Sequence, residues 1–503
     1  MHTELPAEVR VLVVGAGFGG LAVAAQLRAA GYRSPEDLLV LEQADGVGGT
    51  WRDNTYPECA CDVPSVLYSF SFAPNPSWTR SYGRQPEILS YLRRTAEETG
   101  LVDHLRFGVR MTNARWDAAV HRWVVETDRG VLRARVLVPA TGALSAPHLP
   151  DLPGLGTFEG DAFHSARWDH SVDLAGKRVA VIGTGASSVQ FVPAIAPATG
   201  RLTVFQRTPG WVIPRGDRPY TAPERGLFKR WPVTQKISRG TIYLTREGLV
   251  VAMAHTPRLL PAAQLVAEAH LRRQVRDPAL RAALRPAFSL GCKRLLLSND
   301  WFPTLQRPNV ELVTSAAAEI RPHSVVDATG REHECDVLIF GTGFTPTEPP
   351  IARHLRGVTG QTLAETWDGS PRAHLGLTVH GFPNLFLMYG PNTNLGHSSI
   401  IYMLESQARY VVDAVRTLAG GGLAAVEVRA DVEHAEVIDL QHRLASTVWN
   451  SGGCASWYLD RNGRNSVMWP TFTFRYRAAT RRFDLDSYHQ TAEPFVPAEA
   501  SDG

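Results

Sequence analysis

Two glycine-rich turns, each set between an apolar strand and a helical run, are the residues of this 503-residue chain best suited to hold nucleotides. In VRVLVVGAGFGGLAVAAQLRAAG, Gly15, Gly17 and Gly20 take the G-x-G-x-x-G positions, with Gly19 among them. Glycines there permit a tight turn, let the backbone approach a pyrophosphate and allow the helix to pack on the strand. A further apolar strand over 38–41 ends at Glu42, where a carboxylate can accept hydrogen bonds from a ribose. The second turn follows a strand over 177–182 and reads Gly183-Thr184-Gly185-Ala186-Ser187-Ser188, with a small serine in the third glycine's place. The strand after it, 202–205, ends at Gln206-Arg207-Thr208 without a carboxylate. An NAD site would place an acid there, whereas an arginine forks onto a ribose 2'-phosphate, so NADPH is expected on Arg207. Two dinucleotide sites in one chain imply one bound redox cofactor and one hydride donor.

Composition narrows the remaining classes. The net charge of +3 is small, and no lysine or arginine block stands out, which argues against a nucleic-acid tail or a polybasic membrane anchor. Five scattered cysteines, Cys59, Cys61, Cys292, Cys335 and Cys454, fit a reducing compartment and are expected to be free thiols. Cys59 and Cys61 form C-x-C without a His/Cys companion cluster, so neither a metal site nor a dithiol centre is expected. The N-terminus carries Glu4 and Glu8 before a short apolar run, unlike a signal peptide, and the apolar stretch over 249–253 is far below the ~20 residues of a membrane span. A cytoplasmic protein without a membrane partner is expected; the sequence sets no oligomeric state.

Between the two turns lies FEGDAFHSARWD. Phe158, Gly160, His164, Trp168 and Asp169 form F-x-G-x-x-x-H-x-x-x-W-D, which resembles the fingerprint of type I Baeyer-Villiger monooxygenases. Gly48-Gly49-Thr50-Trp51 resembles FAD-dependent oxygenases, which makes FAD the first dinucleotide. The resemblance implies cofactor contacts at Gly49, Thr50, Trp51, Asp62, Tyr68 and Val109, and at Gly183, Thr184, Gly185, Ser187, Ser188 and Gln206 on the NADPH side. In TYPECACD, Tyr56, Pro57, Cys61 and Asp62 fit the family's active-site segment, while Glu58 and Ala60 depart from it. Gly291-Cys292-Lys293-Arg294 is similar to a G-x-K-R motif whose arginine stands over the flavin and whose lysine meets NADP. The resemblance therefore implies Arg294 as catalytic cation, Asp62 as the carboxylate that holds it, and Lys293 as a nucleotide ligand. The implied chemistry uses NADPH and O2 to convert ketones to esters or lactones through a C4a-peroxyflavin and a Criegee adduct. A guanidinium stays protonated at any working pH, so Arg294 could stabilise both anions. His164 and Trp168 would couple NADPH binding to domain closure. Ala140-Thr141-Gly142, Gly341-Thr342-Gly343-Phe344, Phe382-Pro383-Asn384-Leu385-Phe386 and Gly390-Pro391-Asn392 extend the similarity toward Tyr476, and Trp457-Tyr458 are expected on the substrate side.

Strand–helix alternation around each turn predicts an α/β chain: two Rossmann-like dinucleotide-binding domains, for FAD and NADP, with a helical insertion. The FAD domain is expected over 1–150 and 349–503, the NADP domain over 151–216 and 287–348, and a helical subdomain over 217–286. Spacing such as Ala267, Leu271 and Val275 supports that helical reading. The polar tail after Ala492 is expected to be disordered. A flavin-containing monooxygenase acting on nitrogen or sulfur shares both turns, but its fingerprint ends in Tyr or Phe where Trp168 stands, and it lacks the Asp62/Arg294 pair. An NADPH-dependent flavoprotein reductase would need a C-x-x-C or similar dithiol near the flavin.

Overall fold

The computed structural model describes residues 4–493, so the tail expected to be disordered lies almost wholly outside the described residues. From Val11 the strand Glu8–Val14 is continuously apolar and buried, and Leu38–Glu42 is buried along its whole length, as strands of a parallel sheet covered on both faces are. They belong to a seven-stranded sheet whose order, from one edge, is Leu105–Phe107, Leu38–Glu42, Glu8–Val14, Gly130–Pro139, Arg122–Thr127, Met111–Asp117 and Leu355–Arg356. The first four strands pair in parallel, and Arg122–Thr127 and Met111–Asp117 add an antiparallel meander. The chain returns to this unit from far away. Helix Phe18–Ala29 packs on helix Ile400–Gly420, and the Phe386 and Met388 amides donate to the Leu137 and Pro139 carbonyls.

A second, wholly parallel sheet of five strands runs Val310–Val313, Arg201–Phe205, Arg178–Ile182, Val337–Phe340 and Asp161–His164. The strand carrying the fingerprint histidine is its edge. Val212–Ile213 and Leu296–Leu297 pair in parallel and close the root of a helical excursion. That excursion contains helices Ala222–Arg230, Pro232–Val250, Leu260–Gln274 and Pro278–Ala283, the first fixed by a capping box between Thr221 and Glu224. Among the described residues no single helix is long and apolar enough to cross a membrane.

The expectation of five free thiols is wrong for two of them. Cys292 and Cys454, 162 residues apart, form a disulfide, while Cys59, Cys61 and Cys335 are free and buried. The pairing is made by tertiary packing, which scattered spacing cannot reveal: the turn before Leu296–Leu297 lies against helix Val448–Ser451, and the Ser289 amide donates to the Gly452 carbonyl at 2.9 Å.

Two departures from the family pattern turn out to compensate. Ser188 stands where a third glycine is usual and Gly341 where an alanine is usual; a Cβ at Gly341 would overlap Ser188 Oγ, which is fully buried and has no hydrogen-bond partner among the described residues. The space that a side chain at the strand-end would fill is taken by Ser188 from the facing helix. Gly341→Ala should therefore cost about 1–3 kcal/mol through overpacking, and Ser188→Ala in the same chain should restore most of it. Urea unfolding of the single and double variants checks this; an equal loss in both backgrounds would refute the compensation.

Candidate functional site

The first turn has room only for glycine at its closest points. Gly15 has φ +109°, and a Cβ there would stand 2.6 Å from the Ala140 carbonyl oxygen, while one at Gly20 would overlap the Gly15 carbonyl. Gly49, at φ +51°, brings its loop so near that its Cβ would lie 3.1 Å from Gly17 Cα, and Gly19 faces Met388. These bare backbones form a cradle of the kind a pyrophosphate needs. Glu42 is buried and already holds the turn: Oε2 accepts from the Ala16 amide at 2.9 Å, Oε1 from the Ala44 amide at 3.0 Å, and Arg52 Nη1 is 3.2 Å away. Each oxygen keeps a second lone pair for a ribose hydroxyl. The Val109 amide donates to the Glu42 carbonyl, which sets it beside the same acid. Thr50 opens the short helix Thr50–Asp53, from which the Trp51 indole donates to Tyr68 Oη at 3.0 Å.

The charged centre joins two loops 232 residues apart. Arg294 Nε and Nη2 donate to Asp62 Oδ2 and Oδ1 at 2.6 and 2.8 Å, a bidentate fork, and Nη1 reaches the Leu395 carbonyl at 3.5 Å. Burial alone would raise the Asp62 carboxyl; the charge and hydrogen bonds of Arg294 outweigh it and hold the group below its ordinary range. Asp62 in turn holds the guanidinium above its ordinary value against desolvation. The side chains remain 30% and 27% exposed, so the locked pair still has an open side. Tyr389 and Tyr458 stand near this charge, and burial pushes the Tyr458 phenol up to about 12, so it remains protonated at neutral pH. The disulfide pins this centre, since Cys292 lies two residues before Arg294 and Cys454 four before Tyr458.

At the second turn, Gly183 has φ +106°, and its Cβ would stand 2.5 Å from the Gly341 carbonyl oxygen. Thr184, Gly185 and Ser187 lie at the surface before helix Ser188–Ile195, whereas Ser188 is fully buried with its hydroxyl turned inward. Gln206 is also spent internally: its side chain donates to the Ala283 carbonyl at 3.1 Å and closes a helix of the insertion. Arg207 and Lys293 differ. Neither has a carboxylate within ion-pair distance among the described residues; burial, then the nearby Arg207 charge, lowers the Lys293 ammonium, whose Nζ sits 5.2 Å from the Phe288 ring centre. Two adjacent uncompensated cations make a seat for a phosphate.

The fingerprint residues connect the edge of the second sheet, through Phe191, with the loop that carries Asp62. A Cβ at Gly160 would overlap the Asp336 carbonyl, so only glycine lets Phe158 and the edge strand pass. His164 Nδ1 accepts from the Ala166 amide at 3.0 Å, which leaves the proton on Nε2, and that atom is buried without a partner among the described residues. Burial lowers this imidazole to about 4, so it is neutral near pH 7. Trp168 packs at 5.2 Å on both Phe163 and Phe191, and Phe191 packs on Tyr56 at 6.1 Å, six residues before Asp62. Asp169 closes its own turn by accepting from the Ser171 amide and hydroxyl.

Several residues of this centre escaped the sequence reading. Gln190 Oε1 accepts from the Ala60 amide, and Arg215 Nη2 donates to the Cys61 carbonyl, so both brace the Asp62 segment. Glu247, buried in the insertion, accepts from Thr473 and lies 3.2 Å from His397 Nε2, two residues past Leu395. Glu247 sits between Arg246 and Gly248, and nothing in that local sequence marks it.

The model for the pyridine nucleotide-disulphide oxidoreductase family matches residues 12–221. A Baeyer-Villiger monooxygenase of Streptomyces coelicolor is 50% identical over 99% of this chain and 95% of its own length. Among solved structures, cyclohexanone monooxygenase from Rhodococcus sp. Phi1 bound to NADP+ superposes with a TM-score of 0.85 at 31% identity, covering 97% of this chain and all of that one. OTEMO in complex with FAD and NADP superposes with a TM-score of 0.86 at 27% identity, with the same coverage. With half its residues shared along nearly the whole of both chains, the protein belongs to the Baeyer-Villiger monooxygenases, a family of flavoprotein oxidoreductases.

Proposed function

We propose that the chain binds FAD on the Gly15–Gly20 turn with Glu42 and Gly49, binds NADPH on the Gly183–Ser188 turn with Arg207 and Lys293, and converts ketones to esters or lactones. The glycine cradles and the two unpaired cations fit those dinucleotides, and relatives solved with FAD and NADP support the reading. We assign 1–150 with 349–503 to FAD, 151–216 with 287–348 to NADP, and 217–286 to the helical subdomain. Bound FAD, reduced by NADPH, supplies the activation of O2.

The observation that carries the ketone reading is the bidentate Arg294–Asp62 pair. Insertion beside a carbonyl needs a nucleophilic, negatively charged oxygen, and a permanently charged donor fixed in place stabilises both that oxygen and the alkoxide formed on attack. Asp62 positions the fork and leaves Nη1 to turn toward a reacting oxygen. A soft nitrogen or sulfur nucleophile attacks a protonated oxidant and gains little from such a cation, so oxygenation of sulfides is a side activity. The Cys292–Cys454 bond does not favour a reductase: Cys292 is buried in an apolar cluster with Met253, Val448 and Trp449.

The purified yellow protein, given NADPH, O2 and a panel of ketones and sulfides, is expected to yield esters detected by mass. Sulfoxides without any ester would overturn the ketone reading. Arg294→Ala should keep NADPH oxidation yet lose about 100- to 1000-fold in ester formation, and an Arg294→Ala enzyme that makes ester normally would remove the residue from the mechanism. Arg207→Ala or Lys293→Ala should raise KM for NADPH about tenfold or more while leaving KM for NADH nearly unchanged. Parallel increases for both nucleotides would count against a 2'-phosphate seat.

A further inference from the structure

Helix Pro232–Val250 buries polar side chains beside Val250, Ile242 and Tyr243 while it exposes an apolar stripe. Its buried residues include Gln235 and Glu247, and Arg239 also points inward, donating to the Val66 and Ser69 carbonyls at 2.8 Å, while Gln235 donates to the Asn75 carbonyl at 2.6 Å. Its exposed face carries Val233, Ile237 and Leu244, at 57%, 63% and 69% exposure. Spacings of four and seven residues put these three on one stripe, and Val251 continues it seven residues on. Ordinary surface helices show the opposite pattern. The stripe is part of a larger patch: of the 20 large hydrophobic residues exposed among the described residues, 10 fall between Leu227 and Val266, including Trp231, Leu259 and Leu265. Such concentration marks an interaction site.

Charge identifies the occupant. Residues 222–286 hold 12 Lys/Arg against 4 Asp/Glu, a net +8, although the whole chain carries only +3. Lys229, Arg230, Lys236 and Arg258 are exposed, flank the stripe in sequence and have no carboxylate within ion-pair distance among the described residues. Because the cations are spaced singly or in pairs, no basic block stands out along the chain. A second copy of this face would bring like charge against like, whereas an anionic bilayer offers opposite charge to the cations and an apolar phase to the stripe.

The geometry points to this helical segment as a docking surface for an anionic phospholipid membrane, with Val233, Ile237 and Leu244 entering the acyl boundary and Lys229, Arg230 and Lys236 meeting headgroups. The inner face of the same helix carries Glu247, beside His397 and close in sequence to the Leu395 carbonyl that Arg294 reaches. Docking would thus set the charged centre just behind the membrane-facing helix.

The full-length holoenzyme is to be sedimented with vesicles of phosphatidylcholine alone or mixed with phosphatidylglycerol. Binding to the mixed vesicles is expected to be about tenfold or more tighter at low ionic strength and to be lost in high salt. Ile237→Glu/Leu244→Glu should weaken it about tenfold or more, and Lys229→Glu/Arg230→Glu/Lys236→Glu should erase the preference for anionic lipid. Both variants alter exposed residues and should unfold at the parent's temperature. No binding at low salt, equal binding to both vesicles, or variants that bind like the parent overturns the proposal. Light scattering without vesicles decides against the rival occupant: a dimer split by Ile237→Glu/Leu244→Glu would give the face to a second copy and equally overturn the lipid assignment.

Discussion

The bidentate contact between Asp62 and Arg294 is the constraint to which the rest of the molecule answers. A guanidinium and a carboxylate taken largely out of water are stable together only with good geometry, since either left alone would be an uncompensated charge. One partner comes from a loop after the first glycine turn, the other from a loop that follows the helical insertion. The fork can close only if both sheets and the insertion stand in register with one another. Braces accordingly surround it: Gln190 and Arg215 hold the backbone on either side of Cys61, the Leu395 carbonyl meets the free arm of Arg294, and the disulfide fixes the turn before it.

The fingerprint takes its meaning from that constraint. The Trp168 ring packs on Phe191, Phe191 on Tyr56, and Tyr56 begins the segment that ends at Asp62. Phe191 lies on the helix that follows the second glycine turn, so ring contacts connect that turn with the Asp62 segment. His164 is packed nearby, its ring 5.9 Å from that of Phe344. Held neutral by burial, it is a poor proton donor at pH 7 but a good rigid contact at the end of the edge strand.

Residues whose job is local were legible in the sequence. The glycine turns, Glu42, Arg207 and the strand order around each turn follow from steric and hydrogen-bonding rules acting within some 30 residues; at the first turn a Cβ at Gly15 or Gly20 would strike backbone, and Glu42 accepts from the Ala16 amide beside the parallel strand pair. Asp62 and Arg294 could be named through a resemblance, but their fork is made across 232 residues and no local rule implies it. The thiols were misread for the same reason: spacing says nothing about two loops that meet only after the second half of the chain folds back. Ser188 in place of a glycine and Gly341 in place of an alanine are unconnected when each is taken alone. Only their overlap in space shows one substitution making room for the other.

Averaging hid the remaining feature. A net charge of +3 spread over 503 residues suggests no partner, yet the segment over 222–286 carries +8 and the rest of the chain must then carry −5. Hydropathy misleads in the same way, because a helix with buried Gln235 and Glu247 and exposed Ile237 and Leu244 has nearly the same composition as one oriented conventionally. Which face is turned inward is decided by what the protein supplies as partners. Here the interior offers carbonyls for Arg239 and Gln235 and a threonine and histidine for Glu247, so the polar face is the one that gains by burial. Satisfying those groups exposes the apolar stripe as a direct consequence, and the same polar contacts tie the helix to the loops that carry the charged centre.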